Sequence, residues 1–198
     1  MRSMVRPLLI LALVMAPGFA SAHTGVGPTA GFAQGFGHPF VGFDHLLAMI
    51  AVGVFAARLG GRALWLVPAS FVTIMAAGGA LGAGGIALPF VEGAIALSLV
   101  VLGAAVALRL DMPTLTAMGL VGLFAVFHGH AHGTEIPESA SGLAYGLGFV
   151  LATATLHLTG VALGIGFGRA RRVSGGTVVR LGGAMITFAG MALLVGMA

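Results

Sequence analysis

The stretch His38-Pro39-Phe40-Val41-Gly42-Phe43-Asp44-His45-Leu46-Leu47 sets two imidazoles and a carboxylate at the head of an apolar run that continues through Ala57. An ionised Asp near a bilayer centre costs about 2.5–3.5 kcal/mol on insertion scales. A segment with a purely structural duty has no use for that residue. The stretch therefore reads as a polar function placed inside a membrane, and the question is what Asp44 and His45 meet.

Composition supports the membrane. Of 198 residues, 59% are hydrophobic and only 7% charged, far below the share a soluble domain carries. The chain has no Cys, which removes disulfides, thiolate ligands and a Cys nucleophile. Its net charge of +4 comes with no basic patch interleaved with aromatics, so the expected partner is the lipid bilayer and not nucleic acid.

Working outward, Met1 to Ala22 reads as a secretory signal. Arg2 and Arg6 form the positive start, Pro7 to Met15 the apolar segment, and Ala20-Ser21-Ala22 the small-residue cleavage site. An uncleaved first membrane helix is the alternative. Cleavage would leave His23 as the mature N-terminus, where a free amine beside an imidazole can chelate a metal; a plain terminal residue is the other reading. Residues 24–37, rich in Gly, Thr and Pro, read as an extracytoplasmic lead-in.

Six apolar runs long enough to cross a hydrocarbon core follow, over about 40–57, 63–83, 89–108, 113–130, 142–167 and 180–197. Only closed backbone hydrogen bonding survives in lipid, so these runs must be helices packed on one another. The expected fold is all-α: a polytopic membrane helix bundle of about six transmembrane helices after a cleaved signal peptide, with residues 23–198 as one transmembrane domain. Every Arg after the signal falls in alternate loops: Arg58 and Arg62, then Arg109, then Arg169, Arg171, Arg172 and Arg180. The intervening loops hold none, and one carries Glu135 and Glu138. By the positive-inside rule the arginine loops are cytoplasmic and the mature N-terminus is periplasmic. Glycines spaced four apart, Gly142 and Gly146, then Gly160, Gly164 and Gly168, predict close approach of helix backbones, with gating hinges as the alternative.

A second polar cluster is Phe127-His128-Gly129-His130-Ala131-His132-Gly133-Thr134-Glu135. On a continuous helix His128, His132 and Glu135 share a face and His130 points elsewhere. The topology places His38, Asp44 and His45, Glu92 in the first turns of the third span, and His128, His132 and Glu135 at a similar depth on the outer side. Such a nitrogen and oxygen donor set suits Ni(II), Co(II), Zn(II), Cu(II) or Fe. His157, about 22 Å into the fifth span, would be an inner waypoint. Each residue has a plainer reading. Pro39 and Pro89 suit a first helical position, leaving His38 to cap the first span. Glu92 suits the positive helix end. His130 and Glu138 read as solvated loop residues, and His157 as a buried imidazole bonded to a backbone carbonyl.

The pair of motifs, His38-Pro39-x-x-Gly42-x-Asp44-His45-Leu46-Leu47-Ala48-Met49 and Phe127-His128-Gly129-x-Ala131-His132-Gly133-x-Glu135, resembles the HupE/UreJ family. These are small bacterial membrane proteins associated with hydrogenase and urease maturation and regarded as nickel permeases. The resemblance implies an inner-membrane protein that imports a divalent transition metal, Ni(II) first among them, for a nickel-enzyme maturation pathway, and is not an enzyme. It makes His38, Asp44, His45, His128, His132 and Glu135 the metal-handling positions, with Glu92 and His157 as helpers. Five residues separate His38 from Asp44-His45 here, where the broader nickel/cobalt transporters have four. The rivals are a non-transporting metal-binding accessory or sensor protein and a His-rich membrane metalloenzyme. Imidazole ligation requires neutral rings, so metal uptake is expected to fall as external pH drops below about 6.5. A rate that stays flat between about pH 8 and pH 5 in whole-cell uptake would exclude it.

Overall fold

The structure, a computed structural model, describes residues 28–137, 140–169 and 174–197. The expected signal peptide, His23 and Glu138 lie outside the described residues. Among the described residues seven α-helices follow one another: α1 (Pro28–Gly37), α2 (Phe43–Leu59), α3 (Ala63–Ala83), α4 (Val91–Ala107), α5 (Thr114–Thr134), α6 (Gly142–Arg169) and α7 (Ser174–Gly196), with a 3-10 turn at His38–Phe40 between α1 and α2. No strand occurs among the described residues.

Four helices, α3, α5, α6 and α7, are individually long and apolar enough to cross a membrane, and α1 with α2 makes a fifth, bent span. This is a multi-pass membrane bundle. It departs from six equal runs in two places. The α4 helix has 17 residues, about 26 Å of rise, which falls just short of a full hydrocarbon core. The first span is broken: the chain turns by 79° between residues 31–40 and α2. Pro39, with no N–H to give, sits inside the 3-10 turn, and extended Gly42 (ψ 109°) begins α2 at Phe43. Residues 28–37, read from composition as a lead-in, are thus a helix, packed along α6. Pro89 is likewise not the first residue of its helix; Phe90, in the left-handed region at φ 60°, stands between it and Val91.

The helices pair mainly as α2 with α6, α3 with α5, and α4 with α7. Small residues line each seam. A Cβ on Gly53 would run into the His157 carbonyl, one on Gly160 into that of Ile50, one on Gly78 into that of Val126 and one on Gly129 into that of Met75. On α4 and α7, Gly103 and Gly183 face each other's backbones. Of the glycines expected at close contacts, Gly160 and Gly164 lie in the α2–α6 seam. Gly146 and Gly168 face open space, and Gly142 meets only the Ile136 side chain at ordinary distance. Met49, Val52, Phe55, Val67, Phe71 and Leu102 are fully buried where α2, α3 and α4 meet, while leucines such as Leu123, Leu151 and Leu181 face outward, as a lipid-bathed surface allows.

Alternation sorts the charges. Arg58, Arg62, Arg109 and Arg180 are at one end of the bundle, where Arg58 Nη2 donates to the Arg109 carbonyl at 2.9 Å and to Asp111 at 3.1 Å. Asp44, His45, His132 and Glu135 are at the other. The seams yield a stability test. Gly103→Ala places a methyl about 2.6 Å from the Thr187 amide nitrogen and is expected to cost about 1–3 kcal/mol. Gly166→Ala meets nothing within 4 Å and should be neutral or stabilising. Thermal unfolding of both variants in detergent checks the contrast.

Candidate metal centre

At the end of the bundle opposite the arginines, His38 Nε2–H donates to Glu135 Oε2 at 3.0 Å, and His132 Nδ1 lies 3.4 Å from the same oxygen. One ligand atom from each of His38, His132 and Glu135 falls within 4.8 Å of the others. The α5 helix does run through Thr134, so His128 and His132 share a face and Glu135, at its C-terminal cap, turns back over them. Glu135 is held below the usual carboxylate range. The His132 ring is the main cause, burial works the other way, and His38 adds to the lowering. It therefore remains a carboxylate at neutral pH.

One layer down, Asp44 and His45 occupy the first turn of α2. They therefore lie at the rim of the span and not a turn inside it, because the helix starts five residues after His38. Asp44 Oδ1 accepts from His45 Nδ1–H at 2.9 Å and from the His45 amide at 2.8 Å. A carboxylate on Nδ1 fixes the tautomer and leaves the Nε2 lone pair free. That Nε2 is buried and has no partner among the described residues. The His45 ring is 4.2 Å, centroid to centroid, from His132 and 4.9 Å from His128, and His38 is 4.7 Å from His132. The two motifs, some ninety residues apart, form one cluster of imidazoles meeting edge to face.

The tautomer of His128 follows from a residue the sequence gave no reason to single out. Ser98, fully buried on α4, donates its one hydroxyl proton to the Ile95 carbonyl at 2.6 Å. It must therefore accept from His128 Nε2–H, 3.1 Å away. The lone pair of His128 is then on Nδ1, which is buried and unpartnered. Deeper still, Phe71 touches both rings, 5.6 Å from His128 and 5.0 Å from His157. Neither nitrogen of His157 has a partner among the described residues, so the reading of a ring bonded to a backbone carbonyl does not hold there. Exposure falls along this line, from 54% and 38% for the Glu135 and His38 side chains to 10% and 5% for His45 and His132, and to 0% and 1% at His128 and His157.

Two other expectations change. Glu92 is exposed in the first turn of α4 and makes no part of the cluster, which fits its role at a positive helix end. What α4 adds to the site is Ser98. His130 is a buried helical residue, not a solvated one, and its Nε2–H donates to the Ile86 carbonyl at 2.7 Å, tying the α3–α4 loop to α5. His38 makes no capping bond; Glu135 takes it. An apolar cavity of about 370 Å³ between α3, α5 and α6 flanks His132 and Tyr145.

The family model described as HupE / UreJ protein matches residues 11–193. The chain belongs to the HupE/UreJ family. It is 48% identical over 187 residues to Protein HupE of Rhizobium leguminosarum bv. viciae, covering 94% of this chain and 95% of that one. No solved structure matches. For this HupE/UreJ member, Ser98→Ala leaves His128 Nε2–H without its acceptor, a buried loss of about 1–3 kcal/mol. Nitrogen-15 NMR of the labelled protein in detergent is expected to show His128 moving from one neutral tautomer to a mixture, while Ser98→Thr keeps the single form.

Proposed function

We propose that this protein is a secondary permease that carries a divalent transition metal, Ni(II) first among Ni, Co, Cu, Zn and Fe, from periplasm to cytoplasm across the bacterial inner membrane for the maturation of a hydrogenase, a urease or another nickel enzyme. The observation that carries the reading is the line of imidazoles running from an exposed carboxylate to a fully buried ring, with free nitrogen lone pairs on successive members. Glu135 and His38 attract the hydrated ion at the mouth. His132 and His45 replace part of its water, and His128 and His157 offer the next nitrogens inward. The metal is cargo, so the donors must bind it and release it. Three ligands, one from the 3-10 turn and two from the end of α5, at a half-exposed rim suit that better than a closed tetrahedral cage. Orientation follows from the arginine-rich end facing the cytoplasm.

Membership of the family and the nitrogen-rich donor set support nickel, which imidazole suits along with copper and zinc. A non-transporting accessory protein is the reading to separate. The protein reconstituted in sealed proteoliposomes with an inward metal gradient is expected to accumulate radiolabelled Ni(II). Asp44→Asn and His45→Ala should lower the rate at least about tenfold with insertion intact, since loss of a partner outside the ligand shell typically costs about 10–100-fold. Binding at the rim with no accumulation would identify a receptor.

A further inference from the structure

At the arginine-bearing end, away from the histidines, α2, α6 and α7 enclose a crevice in two parts. One part, about 210 Å³, is lined by Arg58, Arg109 and Arg180 together with Gly168 and Gly176. The other, about 170 Å³, is lined by apolar side chains including Ile50, Leu163, Phe167 and Ile186, and by Gly182. The parts share Val54, Gly164 and Val179, so they are continuous. The result is a cleft with a basic head and an apolar tail.

Its guanidiniums are only partly spent. Arg180 gives Nε–H to the Ala107 carbonyl at 3.1 Å, which leaves both terminal nitrogens available. Arg109 adopts the left-handed region, φ 55°, and its side chain has no partner among the described residues. Arg58 Nε is buried and unpartnered. The nearby carboxylate, Asp111, is bound to Arg58 and is 77% exposed. Three cations thus face one outward-turned anion. A free anion would use the head and leave the apolar extension without purpose; a neutral lipid would leave the guanidiniums without one. We infer that this crevice binds an anionic phospholipid of the inner leaflet, its phosphate held by Arg109 and Arg180 and the start of one acyl chain lying against Val54 and Val179.

The full chain, purified in mild detergent, is mixed with equal amounts of phosphatidylglycerol and phosphatidylcholine, and retained lipid is read by native mass spectrometry. Phosphatidylglycerol is expected to be retained at least about tenfold more than phosphatidylcholine, and Arg109→Gln with Arg180→Gln to weaken that retention about thirtyfold. Gly182→Leu probes the tail. A Cβ there meets nothing within 4 Å, so the fold accepts it while the side chain fills the apolar part. It should cut retention comparably with the guanidiniums intact. Arg109→Gln alone serves if the double variant fails to insert. Equal retention of the two lipids, retention unchanged in the arginine variants, or displacement by millimolar inorganic phosphate would overturn the inference. So would full retention in Gly182→Leu, which would leave a site for the phosphate group alone.

Discussion

The break in the first membrane span is the constraint on which the histidine end depends. A straight helix from residue 40 onward would carry His38 up and away from α5. The 79° turn at Pro39 and Gly42 lays the preceding segment across the bundle, so that His38 reaches Glu135 while His45, seven residues later, reaches His132 from below. One short interruption therefore supplies two layers of donors from a single stretch of chain. The break touches α6 on one side and leaves Val41 and Phe43 exposed at the rim.

The second requirement is closeness. Imidazole side chains reach only a few ångströms from their backbones, so rings on α2 and α5 can touch only in a tightly gathered bundle. Glycine supplies that: Gly129 and Gly133 on α5 set their Cα atoms against Met75 and Gly79 of α3, and Gly53 and Gly160 do the same between α2 and α6. The polar residues and the glycines alternate along α5, His128 with Gly129 and His132 with Gly133, so one face binds its neighbour while the adjoining face carries nitrogen.

The helix bundle and the convergence of the two motifs were legible in the chain, since apolar run length, arginine placement and four-residue spacing are local signals that lipid makes strict. Less local features were not. Composition could not reveal that Pro28–Gly37 is helical, because its support comes from α6. Asp44 reads as buried within a span until the start of α2 at Phe43 is known. His130 looks like its neighbours in a polar cluster, and only the return of Ile86 explains it. Ser98 is a commonplace residue in an apolar run; its meaning arises from one long-range bond. Glu92 and Ser98 lie six residues apart on α4, and the fold uses the less conspicuous of the two.

The unshared nitrogen pairs on His45 and His128 have a consequence for what is turned away. Magnesium, small and hard, surrenders its water reluctantly and accepts oxygen in a near-ideal octahedron. Past Glu135 and Asp44 the line of side chains offers it imidazole and hydrocarbon. On the permease reading the abundant hard cations are therefore refused by their own hydration, with no steric filter needed, and a scarce borderline metal travels a route the common ones find too dry.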